Sequence, residues 1–156
     1  MTSIDPCALL ASQVVSTLRP DINQKVADLT GKFPALNSSE LRLRLWVTES
    51  IVVLLAGENS TADPARLDRF YDAFWSDVSW QLKLDLPNEE VRQGFDAGLD
   101  RLAKDLESDF QRFEPEKASM ALTRRIADFL QVPETVSLNY GYKLATSTKL
   151  LNQLPD

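Results

Sequence analysis

The stretch 37–57, NSSELRLRLWVTESIVVLLAG, constrains the fold most, because its second half is apolar on nearly every side. Asn37 can accept the backbone N–H groups that open a helix, and Glu40 can reach back to it, which is the capping-box arrangement. We expect a helix that begins near Ser38 and ends at Gly57. A helix that is apolar around most of its circumference is normally enclosed by other helices, so this one should be central in the fold.

A β-hairpin is the alternative for the same stretch, because Leu41, Leu43 and Leu45 alternate with polar or bulky residues. A two-residue hairpin needs Gly, Asn or Asp in its turn, and Glu49 and Ser50 at the middle supply none of them. The helix is therefore the preferred prediction.

Most of the eight prolines precede a segment in which apolar side chains recur at helical spacing. Proline is favoured in the first turn of a helix, where its missing N–H loses no hydrogen bond. Asp5 and Asp63 stand directly before two of these prolines and are candidate N-caps. The prolines in question are Pro6, Pro20, Pro64, Pro87, Pro115 and Pro133.

The helical spacing assigns the chain to the all-α class. It predicts helices over 6–18, 21–30, 38–57, 64–84, 87–113, 115–131 and 133–153, the last one weakened by Gly141 and by the cluster 146–148. No linker is long enough to separate two domains. We expect a single domain over 1–156, built as a bundle of about six or seven helices around the central apolar helix.

The composition restricts the partners and the location. The longest apolar run, 51–56, is far too short to cross a bilayer, and the first residues lack a basic secretory leader, so we expect a cytoplasmic protein. The net charge of −6 repels nucleic acid and anionic lipid, so neither is an expected partner. The single cysteine, Cys7, should be a small buried side chain rather than a reactive thiol.

The chain contains no histidine. This removes the usual side chain for proton transfer near neutral pH, the Ser–His and Cys–His nucleophile pairs, and the imidazole ligands of most zinc sites. The carboxylate pairs Asp68–Asp72 and Asp96–Asp100 fall on the polar sides of their predicted helices, as solvated charges do. We therefore expect no cofactor and no metal site.

Trp80 is the first candidate for binding. It falls opposite the apolar stripe of its predicted helix, with Arg69 and Lys83 on the same polar side, and an amphipathic aromatic in such a place is often an interface anchor. The alternative is that Trp80 packs beneath Lys83. The preferred hypothesis is a non-catalytic protein that acts through protein–protein contacts, as a homodimer or another homo-oligomer or as an adaptor, with these three residues at the interface.

A small-ligand pocket between helices is the second hypothesis, because helical bundles hold such sites in their cores. Two glycines on the packing side of one predicted helix indicate close approach by another helix or by a bulky aromatic. Glu49 interrupts the most enclosed helix: it either faces solvent together with Arg42 or is buried as the polar group of the pocket. The pocket candidates are Glu49, Trp46, Trp75, Phe95, Gly94 and Gly98.

A third hypothesis, an enzyme that uses carboxylates and a tyrosine, is the least favoured. Tyr140 and Tyr142 bracket Gly141, which can place a phenol in a pocket, but a turn or helix kink that carries two amphipathic rings explains the same residues. The chain has no glycine-rich phosphate loop and no nucleophile elbow.

Overall fold

The computed structural model describes the backbone of residues 5–112, 115–133, 136 and 138–154, and the side chains of these residues except 108–119. Within these ranges the protein is all-α, with no strand, and the predicted helical bundle of about six or seven helices is confirmed. No helix in the same ranges combines the length and the apolar composition of a membrane span. The helices are α1 (Pro6–Lys32), α2 (Ser38–Asn59), α3 (Pro64–Asp85), α4 (Glu89–Arg92), α5 (Gly94–Arg112), α6 (Pro115–Leu130) and α7 (Tyr140–Asn152).

The helix α2 begins as its sequence predicts. The Asn37 side chain accepts a hydrogen bond from the Glu40 backbone N–H at 3.0 Å, and the helix starts at Ser38. It runs two residues past Gly57, where it was expected to end, and it packs against α1, α4, α5, α6 and α7. Of the two alternatives for Glu49, the solvent-facing one is wrong, because that side chain is 0% exposed.

The helix α1 is one continuous element, and the prediction of two helices separated at Pro20 is wrong. Proline inside a helix removes one backbone hydrogen bond and costs about 3 kcal/mol. The Pro20 ring is on the exposed side of α1, while Leu18 and Ile22 on either side of it are buried. Burial of the apolar face offsets the proline cost because each such side chain contributes about 1.5–3 kcal/mol.

The helix α3 lies beside α1 and runs parallel to it. Asp5 at the start of α1 pairs with Arg69 near the start of α3, and Arg19 further along α1 pairs with Asp85 at the end of α3. Pro64 occupies the first turn of α3 as predicted, whereas the neighbouring aspartate at the N-cap position makes no capping hydrogen bond through its side chain. The buried stripe of α3 consists of Phe70, Phe74, Val78 and Leu82.

The predicted helix 87–113 is in fact two helices. Asn88 caps the single turn α4 by accepting the Glu90 backbone N–H at 2.9 Å, and α5 begins separately at Gly94. The expected close approach to the glycine side of α5 is present, because a Cβ at Gly94 would lie 3.1 Å from the Leu43 side chain of α2. The predicted end of this helix, residue 113, lies outside the described residues.

The last helix begins later than predicted. Pro133 does not open it: α7 starts at Tyr140, after Asn139 with a φ of 58°. Asparagine is one of the few residues that adopt this left-handed conformation readily. The ring of Tyr140 is fully buried, so burial of this side chain rather than the proline determines where α7 begins.

Replacement of Gly57 should destabilise the fold. A Cβ at Gly57 would lie 1.6 Å from Tyr71 Oη, and Tyr71 donates a hydrogen bond to the Leu54 carbonyl at 3.2 Å. We expect Gly57→Ala to lower the free energy of unfolding by about 1–3 kcal/mol, the usual cost of overpacking, as measured by urea denaturation.

Gly31→Ala is the matched control for this prediction. Gly31 has open space around it at the last turn of α1, and alanine favours a helix over glycine by up to about 1 kcal/mol. Equal destabilisation by the two substitutions would contradict the proposed contact with Tyr71.

Candidate functional site

Five charged or polar side chains from α1, α2 and α7 form a cluster around Glu49. Lys25 Nζ donates to Glu49 Oε1 at 2.9 Å, and the Tyr140 hydroxyl donates to the same oxygen at 3.3 Å. Lys143 Nζ donates to Glu49 Oε2 and, at 2.9 Å, to Asp21 Oδ2. We call Asp21, Lys25, Glu49, Tyr140 and Lys143 the Glu49 cluster.

The Glu49 cluster balances its own charge, with two carboxylates against two ammonium groups. Lys25 Nζ also lies 4.3 Å from the centroid of the Tyr140 ring, within cation–π range. A buried carboxylate is costly unless it is paired and hydrogen-bonded, and both oxygens of Glu49 have such partners. The pairing explains how a carboxylate is accommodated on the most buried part of α2.

The phenol of Tyr140 is held in its neutral form. Burial raises its pKa well above the ordinary value of 10.0, and the nearby charge of Glu49, the hydrogen bond to Glu49 and the charge of Asp21 raise it further. At neutral pH Tyr140 is therefore a hydrogen-bond donor to Glu49 and not a base.

The Glu49 carboxylate is closed to ligands. Its side chain is 0% exposed, and five surface grooves on the described part of the chain are lined by other residues. A substrate would have to displace Lys25, Lys143 or Tyr140 to reach it. The arrangement is suited to joining α1, α2 and α7, and it gives little support to general acid or base chemistry.

Asp85 is a second buried anchor, and the sequence did not indicate it. Its carboxylate accepts hydrogen bonds from Trp46 Nε1 at 2.8 Å and from Arg42 Nη1 at 3.2 Å, and Arg19 Nε lies 3.7 Å away. Trp46 is therefore a fully buried side chain whose single polar atom is satisfied. Asp85 joins the end of α3 to α1 and α2.

The pocket candidates do not share one cavity. Glu49 and Trp46 are fully buried and face different partners, as described above. Trp75 and Phe95 pack edge to face, with ring centroids 6.5 Å apart. Only the two glycines, Gly94 and Gly98, line a groove together, and none of the other four candidates lines it.

This glycine groove is a surface feature between α2, α4, α5 and the end of α6. Its volume is about 450 Å³. A Cβ at Gly98 would lie 3.1 Å from Val47 and 3.5 Å from the Phe129 ring, so the glycine permits the close contact of the helices. The lining side chains include Leu43, Arg44, Val47, Val91, Ala97, Arg101 and Phe129.

Trp80 lies on an exposed surface formed by α1 and α3. Its side chain is 62% exposed, so it is not covered by Lys83, and Leu84 one turn further is 52% exposed. Arg69 lies three turns before Trp80, where it pairs with Asp5 at 3.9 Å. A groove of about 350 Å³ between the two helices is lined by Ala8, Leu9, Ser12, Ala73, Ser76 and Asp77, and we call this groove together with Trp80 the Trp80 surface.

The candidate metal ligands lie apart. Asp68, Asp72, Asp96 and Asp100 are all exposed, and within the described ranges no group of three or more acids or cysteines converges on a point that could hold a cation. Cys7 is buried at the start of α1, with Arg69 Nη2 4.0 Å from its sulfur.

No protein-family model, no curated protein and no solved structure matches the chain. The function has to be argued from the geometry of the protein itself. Two features carry such an argument: the Trp80 surface and the glycine groove.

Removal of the charge of Glu49 should destabilise the protein. Glu49→Gln leaves Lys25 and Lys143 without their buried counter-charge, and breaking a buried ion pair costs about 3–5 kcal/mol. We expect a loss of about 3 kcal/mol in the free energy of unfolding, since both lysines are partly exposed and can reach water. Guanidinium denaturation monitored by circular dichroism measures it.

Glu58→Gln is the control, because Glu58 lies on the same helix and is exposed. Its effect should stay within about 0.5 kcal/mol, as for most surface substitutions. If Glu49→Gln were as mild as the control, the Glu49 cluster would not stabilise the fold.

The protein should lose stability above pH 10. Burial, aided by the charges of Glu58 and Asp68, raises the pKa of Tyr71 to about 12, and the pKa of Tyr140 is also raised. Tyrosines of the unfolded chain ionise near about pH 10, so above that pH the unfolded state releases protons that the native state retains. The contribution of the two neutral tyrosines to the free energy of unfolding is complete below about pH 10 and is lost as the pH rises toward about 12.

The measurement compares urea denaturation at about pH 9 and about pH 11. The double variant Tyr71→Phe, Tyr140→Phe should show a smaller decrease than the unchanged protein, because phenylalanine has no proton to release. An identical decrease in both proteins would assign the pH dependence to other groups.

Proposed function

We propose that the protein is a non-catalytic helical protein that acts through protein–protein contacts, and that the Trp80 surface binds a second copy of the same chain. The observation that carries the proposal is the 62% exposure of Trp80 beside a groove on the same face. Tryptophan is among the residues most enriched at the energetic centres of interfaces. Large apolar area in water at such a position favours association.

The shape of the Trp80 surface supports a twofold homodimer. In a twofold interface the same patch occurs on both sides, so a projecting residue and a groove on one face can fill each other reciprocally. Trp80 lies one helical turn beyond Ser76, which lines the groove, so the projection and the groove are adjacent. Asp77 in the lining can accept the indole N–H of the partner copy, the one polar group that Trp80 would bury.

The charge distribution supports the same proposal. Residues 6–18 of α1 include no charged side chain, although 26% of the chain is charged. Their exposed members on this side, which include Leu9, Ser12 and Ser16, are apolar or neutral. Depletion of charge at the centre is what distinguishes an interface from the remaining protein surface. Lys83 and Arg69 are then charged groups at its rim.

An enzyme is disfavoured by the same geometry. The Glu49 carboxylate has all its contacts within the protein, and the phenol that it holds is neutral at physiological pH. Neither group is open to a substrate. A small-ligand site is compatible with the glycine groove but needs no contribution from Glu49 or Trp46.

Substitution of Trp80 should abolish self-association. Sedimentation velocity over a concentration series from about 1 μM to about 500 μM is expected to show a dimer that dissociates on dilution, and Trp80→Ala should stay monomeric throughout. The fluorescence emission of the unchanged protein should shift to shorter wavelength with concentration, as the exposed indole becomes buried.

Tyr142→Ala is the matched control, because Tyr142 is an aromatic on α7 that is 75% exposed and does not line the groove of the Trp80 surface, so its loss should leave the dimer intact. A protein that stays monomeric up to the highest concentration, or that loses its dimer equally in both variants, would refute self-association through Trp80.

A further inference from the structure

We infer that the glycine groove binds a small amphiphile with an anionic head and an apolar chain, of the class of medium-chain carboxylates. The inference is independent of the Trp80 surface, since α2, α4, α5 and α6 form the groove and α1 and α3 form that surface. Its volume of about 450 Å³ falls within the range of about 300–1,000 Å³ that small-molecule sites occupy.

The apolar part of the site comes from side chains that the glycines leave uncovered. Gly94 and Gly98 present no side chain, and Ala97 between them presents only a methyl group. The larger apolar side chains that line the same groove are Leu43 and Val47 of α2, Val91 of α4 and Phe129 of α6. An alkyl chain of the ligand can therefore lie along α5 in contact with them.

Two arginines line the groove, Arg44 next to Leu43 toward one end and Arg101 beyond Gly98 toward the other. Arg44 Nη1 donates to the Phe129 carbonyl at 2.8 Å, and its guanidinium lies 5.7 Å from the Phe129 ring, so the group is held at the edge of the groove with further donors to offer. Arg101 is exposed and has no hydrogen bond or ion pair with any part of the chain that the structure describes. Guanidinium groups bind carboxylates through paired N–H donors.

The acidic residues of the groove give the ligand one orientation. Gly94 lies against Leu43 and Gly98 against Val47, so α2 and α5 run in the same direction. Glu90 precedes the first contact by a turn, whereas Arg101 follows the second by about one turn. Arg44, which directly follows Leu43, offsets part of the acidic charge at the first end, whereas Arg101 is the charged lining residue at the second. An anionic head is therefore favoured at the second end.

A cationic head at the acidic end is the competing arrangement. Glu40 and Glu90 lie in the first turns of α2 and α4, where the helix dipole already favours negative charge, so their presence has a structural explanation. Arg101, which has no partner among the residues that the structure describes, has no such explanation. The observations therefore favour the anion.

Isothermal titration calorimetry with sodium decanoate below its micelle concentration tests the inference. We expect saturable binding of one decanoate per chain, and no comparable binding of decylammonium. Arg101→Gln should weaken the affinity about tenfold or more, since it removes a charged hydrogen-bond donor. Ala97→Phe should abolish binding by filling the groove from an exposed position.

Lys104→Gln is the matched control, because it removes the same charge from an exposed position on α5 that does not line the groove. It should leave the affinity unchanged, and circular dichroism should confirm the fold of every variant. The inference is overturned if decanoate binding does not saturate, if decylammonium binds as well, or if Lys104→Gln weakens binding as much as Arg101→Gln. If Ala97→Phe failed to fold, the comparison of Arg101→Gln with Lys104→Gln would decide.

Discussion

The packing of α1, α2 and α7 depends on how one buried carboxylate, that of Glu49, is paired. Glu49 is 0% exposed, and a charged group in that position is tolerated only if cations and hydrogen-bond donors surround it. Those groups come from α1 and α7, so the two helices must be in place before α2 can bury its charge. An apolar residue at the same position would allow α7 many packing positions, whereas the cluster accepts only those that bring Tyr140 and Lys143 to Glu49.

The features that the sequence predicted well are those that act within one or two helical turns. Asn37 contacts the backbone three residues ahead, and Pro64 restricts its own turn, so both can be read without knowledge of the fold. The predictions at Pro20 and Pro133 failed because distant packing outweighed a local preference. Pro20 lies inside a helix whose opposite side is buried. The helix α7 begins only at Tyr140, whose buried side chain contacts Glu49 of α2.

The candidate functional residues also differ in how far the sequence alone could predict their surroundings. The side of α3 that Trp80 occupies follows from the periodicity of that helix alone, and the structure finds the side chain exposed. The partners of Glu49, which are Lys25, Tyr140 and Lys143, are 24, 91 and 94 residues away along the chain, and no spacing rule connects positions so far apart. The glycines of α5 indicated a close neighbour but carried no information on which side chains it would present.

The placement of charge links these observations to function. The carboxylates of Glu49 and Asp85, which are little exposed to solvent, are both paired with cations of the same chain. Two groups at the surface are available for contacts within the described part of the chain: the indole of Trp80, which is 62% exposed, and the guanidinium of Arg101 beside an apolar groove. An indole favours a protein surface, and a guanidinium beside apolar side chains favours an anionic amphiphile. The proposed interface and the proposed ligand groove lie on different helices, so the two proposals do not require the same residues.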